Sequence, residues 1–561
     1  MPKKSNKQKH VSNVSKASKA KGTGESIETS EASETSNPPK PPTAAEVKKA
    51  EMEKIVQVLD GLNLELFHAP DGTAYVTYSS SENHDKNFRT STVTSPQFKK
   101  FLQRQTFKKL GKPLKKSVLN DQIDLYSSIA EGEDSPERRV FLRVGEHGED
   151  IYIDLCNDAG QAVKVTADDW TVVDDPDCRF RRAPGMRPLP VPVKGGSITE
   201  LGERFLNLNP NDRILFLGAL LGAFRFGWPT PLVFITGEHG SGKSSLSRVF
   251  RALIDPSEVM TQKASKDHDL HITCHNSWIV NFDNVSKLPT DMSDDLCQLA
   301  TEGGFRTRQL RTDKNEALFS EKRMVLLNSI EELATRPDFL DRTIHLHTKN
   351  LKGQRRTENS LKILFQERSP RILGALLDAV VCALKNYPTT QVNLPDMVDS
   401  RMADFTKWVC AGAPKLGFTQ EEFLKAYAEN RTAGSHEALD ASTIYLPLMT
   451  QLETPAVVGY KQAVIKKGLF RGTTQELLQV LSTPTAAWER PHDFPKTPKM
   501  LASMLARIIP NLRAEGVEVK DMGRDTVRRV RILEITKTAS NVSNVSKPVT
   551  AATEVAVGVS Q

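Results

Sequence analysis

The spacing of apolar residues changes period several times along the chain, and each change predicts a different kind of element. Residues 1–45 hold almost nothing to bury and are rich in Lys, Ser, Thr, Glu and Pro, which predicts a disordered basic tail. Residues 46–128 predict a small α/β or helical unit, with a helix over Ala50–Leu62, a strand over Ala74–Tyr78 and a basic amphipathic helix over Gln97–Leu110. That helix sets Phe98, Phe101, Leu102 and Leu110 against Lys99, Lys100, Arg104, Lys108 and Lys109. Such a face either tracks a phosphate backbone or is simply solvated. From 129 to 195 the period falls to two. Val140–Val144, Ile151–Leu155 and Ala162–Val165 alternate, Trp170–Val173 adds a short strand, and prolines from Pro184 to Pro192 make an extended linker.

In 196–350 the apolar runs become continuous, as in parallel strands buried on both faces. Leu232–Thr236, Trp278–Asp283 and Met324–Asn328 are such runs. The apolar stretch Ile214–Phe224 is too short to span a bilayer and reads as a buried helix leading into the first strand. Residues 351–434 are predicted to be a helical lid, in which Ser369-Pro370 caps a helix carrying Leu373, Leu376, Leu377 and Val380 on one face. In 435–535, helices over Thr473–Leu481 and Thr497–Ile509 precede strands at Gly516–Val519 and Val527–Ile535, joined by a turn at Met522–Arg524. This order suggests either a winged helix, with Arg524, Arg528, Arg529 and Arg531 on the wing, or a small α/β domain with no nucleic-acid role. Residues 536–561 are again polar and are expected to be disordered.

The chemistry concentrates where the first buried strand ends. Residues 231–245 read PLVFITGEHGSGKSS, so strand, Gly-rich loop and helix follow one another. That context makes G-x-x-x-x-G-K-[ST] a phosphate-binding loop. Gly237, Glu238, His239, Gly240, Ser241 and Gly242 would curl backbone N–H groups around a polyphosphate, and Ser245 would continue the helix N-terminus. Lys243 would neutralise the β- and γ-phosphates, and the Ser244 hydroxyl would ligate Mg²⁺. Asp283, at the carboxyl end of a strand expected beside the P-loop strand, is the second Mg²⁺ candidate. Asn328 ends the third strand, where it could position the attacking water. Between these strands, Arg306, Arg308, Arg311 and Lys314 follow a Gly-Gly turn and form a candidate DNA-gripping loop; some of these arginines could instead reach a neighbouring subunit's ATP. Arg336 and Arg342 are candidate arginine fingers acting in trans.

Composition narrows the partners more than the chemistry. The net charge is +7 and the pI about 8.9, compatible with nucleic acid without requiring it. The six cysteines show no C-x-x-C pair, which argues against a zinc site or a disulfide framework. With no secretory signal and no membrane span in the pattern, a cytoplasmic location is expected.

The order P-loop, Phe-Asp-Asn, Gly-Gly-Phe-x-x-Arg-x-Leu and Lys-Arg-x-Val-Leu-Leu-Asn resembles the superfamily-3 helicase ATPases, the engines of phage and plasmid primase-helicases. More closely, the chain resembles a family of bacterial and prophage ATP-binding proteins from about Ser95 to Ile535. The shared stretches include IYIDLCNDAGQAVKVTADDW, CRFRRAPGMRPLP, HNSWIVNFDNVSKLP and RPDFLDR. The resemblance implies an AAA+-like P-loop core, with Gly237–Ser244 as Walker A, Asp283 as the Walker B metal residue and Asn328 as sensor. It further implies that Arg306–Lys314 contacts DNA, that ATP and Mg²⁺ are bound, and that the active form is a homo-oligomeric ring, expected to be hexameric. Two departures stand out. Asn284 occupies the place where superfamily-3 helicases usually carry an acid, so hydrolysis is slow or another carboxylate such as Glu302 serves. No primase signature stands in the N-terminal third, so a primase half is expected on another chain.

Two functions follow from these residues. One is an ATP-driven, helicase-like motor on single-stranded DNA, serving replication of a phage or mobile element. The other is a nucleotide-switched DNA-binding regulator with little turnover, which Asn284 favours. A metabolic kinase or transporter ATPase fits less well, because no transporter signature is present.

Overall fold

The computed structural model describes residues 43–79, 88–263, 269–286, 288–301, 305–308, 316–319, 322–329, 337–351, 357–392, 402–440, 442–455, 463–483, 491, 493–525 and 530–537. The segments expected to be disordered tails, 1–45 and 536–561, fall almost wholly outside these residues. The chain is a mixed α/β protein that divides into two compact units, residues 1–57 and 58–561. In the first, the described part is the beginning of helix Ala44–Asp60, where the Thr43 hydroxyl accepts from the Glu46 N–H at 3.3 Å and the Glu46 carboxylate accepts from the Thr43 N–H at 2.7 Å.

The second unit opens with a three-stranded antiparallel sheet, Leu64–His68, Ala74–Ser79 and Phe88–Thr92. Helices Pro96–Leu110 and Lys116–Ala130 follow it. Phe98 and Leu102 are fully buried, and Tyr78 packs on the rings of Phe98 and Phe101. The period-two stretch then folds as a four-stranded antiparallel meander, Val144–His147, Asp150–Asp154, Ala162–Val165 and Trp170–Val173. The Pro-rich linker is extended but docked. The Leu189 N–H donates to the Leu155 carbonyl at 2.9 Å, and the Val193 N–H to the Pro370 carbonyl at 3.0 Å.

The central sheet is parallel and runs in the order Ile279–Phe282, Met324–Asn328, Leu232–Thr236, Thr343–His347. The strand carrying Asp283 at its end is therefore not beside the P-loop strand, as the sequence suggested; Met324–Asn328 lies between them. The strand Thr343–His347 was not foreseen, although its alternation of Ile344 and Leu346 with polar neighbours is visible. A parallel bridge from Gln262 to Phe282 extends the sheet on the other side. The buried helix Pro210–Gly222 starts at Asn209, whose side-chain carbonyl accepts from the Asp212 N–H at 2.8 Å.

Helices Glu358–Asn386, Ala403–Leu416 and Gln420–Asp440 complete this part, and one hydrophobic core joins them to the central sheet and the meander. Ser369-Pro370 does not cap a helix here, because Pro370 sits inside the helix Glu358–Asn386. Proline cannot donate to the carbonyl four residues back. That carbonyl, of Gln366, instead accepts from the Ser369 hydroxyl at 3.3 Å. The expected boundary at 434/435 also falls inside a continuous helix, Gln420–Asp440. At its far end, Leu439 enters a separate core. That core is built by helices Tyr445–Glu453, Thr474–Ser482 and Pro498–Ala514 and a four-stranded antiparallel sheet. The sheet order is Val464–Lys466, Leu469–Gly472, Arg531–Lys537, Val517–Arg524. The predicted turn at Met522–Arg524 is part of the last of these strands, with an irregular register between Asp521 and Arg524. The chain reverses later, where the Asp525 N–H donates to the Val530 carbonyl at 2.9 Å.

Candidate nucleotide site

The P-loop strand Leu232–Thr236 is fully buried and delivers its chain to one edge of the sheet. There the loop turns through Gly237, Gly240 and Gly242 at φ of 146°, 76° and 91°, in the region that disfavours a Cβ. At Gly237 a Cβ would also collide with the Thr348 hydroxyl. Glu238, His239 and Gly240 form the exposed tip, and Ser241 is buried. Helix Lys243–Ile254 then begins directly at the lysine. Lys243 Nζ folds back over the loop and donates to the carbonyls of Gly237 at 2.7 Å and Glu238 at 2.8 Å. Partial burial pulls its pKa below the usual lysine range, and Asp283 opposes that shift. The lysine is thus tied to the carbonyls of its own loop.

The Ser244 hydroxyl donates to Asp283 Oδ1 at 3.0 Å. Two hard oxygen ligands from two elements meet at the mouth of the loop, which fits Mg²⁺, a cation that takes few protein oxygens and fills its octahedron with phosphate and water. Asp283 is itself placed by backbone, since its N–H donates to the Gln262 carbonyl at 2.9 Å. Asn284 is exposed, with φ +53°, a left-handed conformation that Asn tolerates better than most residues. Asn328 lies on the strand between Asp283 and the P-loop. It is 1% exposed, and neither end of its side-chain amide has a hydrogen-bond partner among the described residues. Its backbone carbonyl accepts from the Val285 N–H at 3.0 Å, which ties the two strand ends together.

Three supports escaped the sequence reading. Thr348, just past the strand Thr343–His347, shares a 2.6 Å hydroxyl contact with Ser241 and donates to the Thr236 carbonyl at 3.0 Å. Asn207 donates to the Ser241 carbonyl at 2.9 Å, and Asn350 to the Glu238 carboxylate at 2.6 Å. No local pattern marks these residues, because their role depends on the unforeseen pairing of Thr343–His347 with the P-loop strand.

The remaining candidates lie apart from this cluster. Arg342 is 9% exposed and directly precedes the strand Thr343–His347. Because that strand runs parallel to Leu232–Thr236, with Leu232 opposite Thr343, Arg342 stands at the sheet edge opposite the phosphate loop. Arg306 and Arg308 lie on the first strand of a two-stranded antiparallel hairpin, Phe305–Arg308 with Glu316–Phe319. Arg531 opens the strand Arg531–Lys537 and is exposed, 3.9 Å from the Asp521 carboxylate. Glu302, Arg311, Lys314, Arg336, Arg528 and Arg529 lie outside the described residues. Among the described residues no helix is long and apolar enough to cross a membrane.

The model of the actinomycete integrative conjugative element replication protein matches residues 204–429, and that of the AICE RepA C-terminal domain matches residues 456–551. No curated protein matches the chain. Among solved structures, the chain is similar to one titled SCCmec type IV Cch, active helicase, at 12% identity over 85% of this chain and 93% of that one, with a TM-score of 0.46. It is also similar to the A-form apo C-terminal region of NrS-1, at 15% identity over 86% of this chain and 98% of that one, with a TM-score of 0.39. By the two matched segments, which together make up more than half of its length, the chain belongs to the actinomycete integrative conjugative element replication proteins.

Proposed function

We propose that this replication protein is an ATP-driven, helicase-like motor acting on DNA in the cytoplasm. The observation that carries the proposal is the Ser244–Asp283 pair at 3.0 Å beside a Gly-rich loop that already curls around Lys243. In this reading the β- and γ-phosphates of ATP lie in the loop, Lys243 leaves the Gly237 and Glu238 carbonyls to meet them, and Ser244 and Asp283 hold Mg²⁺. The metal would supply charge neutralisation on the phosphate oxygens. Asn328, buried and unpartnered in the strand between, is poised to orient a water or a phosphate oxygen. The parallel sheet, with Asn328's strand between those of Asp283 and the P-loop, is compatible with the AAA+-like core of this reading. In this reading like subunits form a ring, expected to be hexameric, in which Arg336 or Arg342 reaches a neighbour's γ-phosphate. The hairpin carrying Arg306 and Arg308 lies on the connection between the strands that end in Asp283 and Asn328, directly ahead of Met324. It is the proposed grip on single-stranded DNA, with Arg311 and Lys314 continuing it. The helices and sheet of residues 442–537 support a winged-helix reading, with Arg528, Arg529 and Arg531 as further DNA contacts. A primase or other replication partner would act alongside it.

The second reading, a nucleotide-switched DNA-binding regulator, is favoured by one observation: Asn284 stands exposed beside Asp283 where a general base would be expected. Nucleotide binding tests the site shared by both readings. Lys243→Ala should weaken ATP binding at least tenfold, and Asp283→Asn should leave Mg²⁺-free binding intact while removing the gain on adding Mg²⁺. Unchanged titrations for both variants would place the nucleotide elsewhere.

A further inference from the structure

Far along the sequence from the P-loop, the helix Pro96–Leu110 presents a surface that the core does not need. Its inner face is satisfied, with Phe98, Leu102 and Thr106 buried. The outer face carries Lys99, Lys100, Arg104 and Phe107, which recur at helical spacing and so share one side. They line a shallow groove of about 710 Å³ together with Pro96 and Pro113. Phe107 is 56% exposed there, an apolar ring standing among cations. From Phe88 to Asn120 the chain has Lys and Arg residues and not one Asp or Glu. Among the described residues Lys99, Lys100 and Arg104 have no ion-pair partner. A solvated helix face gains nothing from an exposed phenylalanine, and a hydrophobic docking site gains nothing from this uncompensated charge. One class of ligand is served by both, a polyanion with aromatic faces exposed.

We propose that this groove is a second binding site for single-stranded DNA, outside the two segments that the family models match. Lys99, Lys100 and Arg104 neutralise successive phosphates, and Phe107 stacks on a base. Duplex DNA offers the same phosphates but keeps its base faces inside the stack, so Phe107 selects the single strand. The helix is about 22 Å long at 1.5 Å per residue, enough to follow a few nucleotides. The capping Ser95, which accepts from the Phe98 N–H at 3.2 Å, and the left-handed Gly111 at φ 69° fix both ends of this platform. Such a site would hold the strand independently of the nucleotide state.

The test uses the full chain without nucleotide and a fluorescein-labelled oligo-dT followed by anisotropy over a range of salt. Exchanging Lys99→Gln, Lys100→Gln and Arg104→Gln together should weaken binding about tenfold and lower the slope of log affinity against log salt by about two, at ~0.7 per lost contact. Phe107→Ala should weaken binding by about tenfold with the slope unchanged, and Phe107→Trp should restore it. Irradiating a 5-iodouracil oligonucleotide on the native chain should place crosslinks within residues 96–116. Unchanged binding by all variants, or crosslinks only elsewhere, would overturn the site. Equal losses on single-stranded and duplex DNA with Phe107→Ala silent would also overturn it, by reducing the face to a nonselective polyanion surface. Because no ATP is present, a negative result here leaves the nucleotide site standing, and a failed nucleotide site leaves this result readable.

Discussion

At the scale of single residues, the proposed nucleotide site turns on what stands at the ends of two strands. Asp283 and Asn328 are both set by backbone bonds; the Asp283 carboxylate meets the Ser244 hydroxyl, and the Asn328 amide is left without a partner among the described residues. Asn328 is the sharper case: a buried amide with no partner costs stability, on the order of 1–3 kcal/mol, unless a ligand or water completes it. Asn284 is set by conformation. Its φ of +53° is one that Asn, Asp and Gly accept and a β-branched residue does not. Asn284→Asp therefore keeps the turn and supplies the missing carboxylate beside Asp283. It is expected to raise the ATP turnover rate several-fold with little change in melting temperature. A turnover rate that stays level or falls would mean that Asn284 does not limit hydrolysis.

At the scale of elements, most strands and helices were legible, because burial imposes periods that a sequence displays. The unbroken apolar run Leu232–Thr236 encodes a strand covered on both faces, whereas the alternation in Ile151–Leu155 marks a strand but not its burial, since Tyr152 and Asp154 are as buried as their neighbours. The order of the parallel strands was not legible. Parallel neighbours are chosen by tertiary packing and not by any local turn, so Met324–Asn328 could come between the P-loop and Asp283 without leaving a mark in the residues. Thr343–His347 was missed for a related reason. The Asn430 amide accepts from the His345 N–H at 3.0 Å and donates to its carbonyl at 2.6 Å, so a helix closes that edge of the sheet from far along the chain. Pro370 misled because its missing N–H reads locally as a helix start, whereas a hydroxyl one residue before it repairs the loss.

The same scale holds the joint between the meander and the nucleotide sheet. Arg143 is fully buried and donates to Asp255 Oδ1 at 3.2 Å, to the Asp154 carbonyl at 2.9 Å and to the Arg187 carbonyl at 3.0 Å. Asp255 Oδ2 accepts from the N–H groups of Trp278 at 2.9 Å and Ile279 at 3.1 Å, at the start of the strand that ends in Asp283. The joint therefore anchors the strand that leads to Asp283. Asp255→Ala leaves the Arg143 charge buried without its carboxylate and should cost about 3–5 kcal/mol in urea unfolding. A loss below about 1 kcal/mol would show that the joint is solvated in solution.

At the scale of the whole molecule, basic residues occur on several separate elements: the helix Pro96–Leu110, the hairpin with Arg306 and Arg308, and the strand opening at Arg531. The net charge of +7 thus reflects patches on elements that could contact one strand of DNA at several points. The sequence showed each patch but could not show that the one on Pro96–Leu110 also frames a groove with an exposed aromatic ring, since exposure is a property of the fold. A motor and a switch would use these surfaces differently, and they separate on turnover. The most direct measurement is steady-state ATP hydrolysis with and without single-stranded DNA, at two salt concentrations, beside Lys243→Ala. The motor account predicts a rate stimulated by the DNA, a stimulation that falls steeply with salt, and no turnover in the variant. Turnover that is negligible or indifferent to DNA, with nucleotide binding intact, would contradict it.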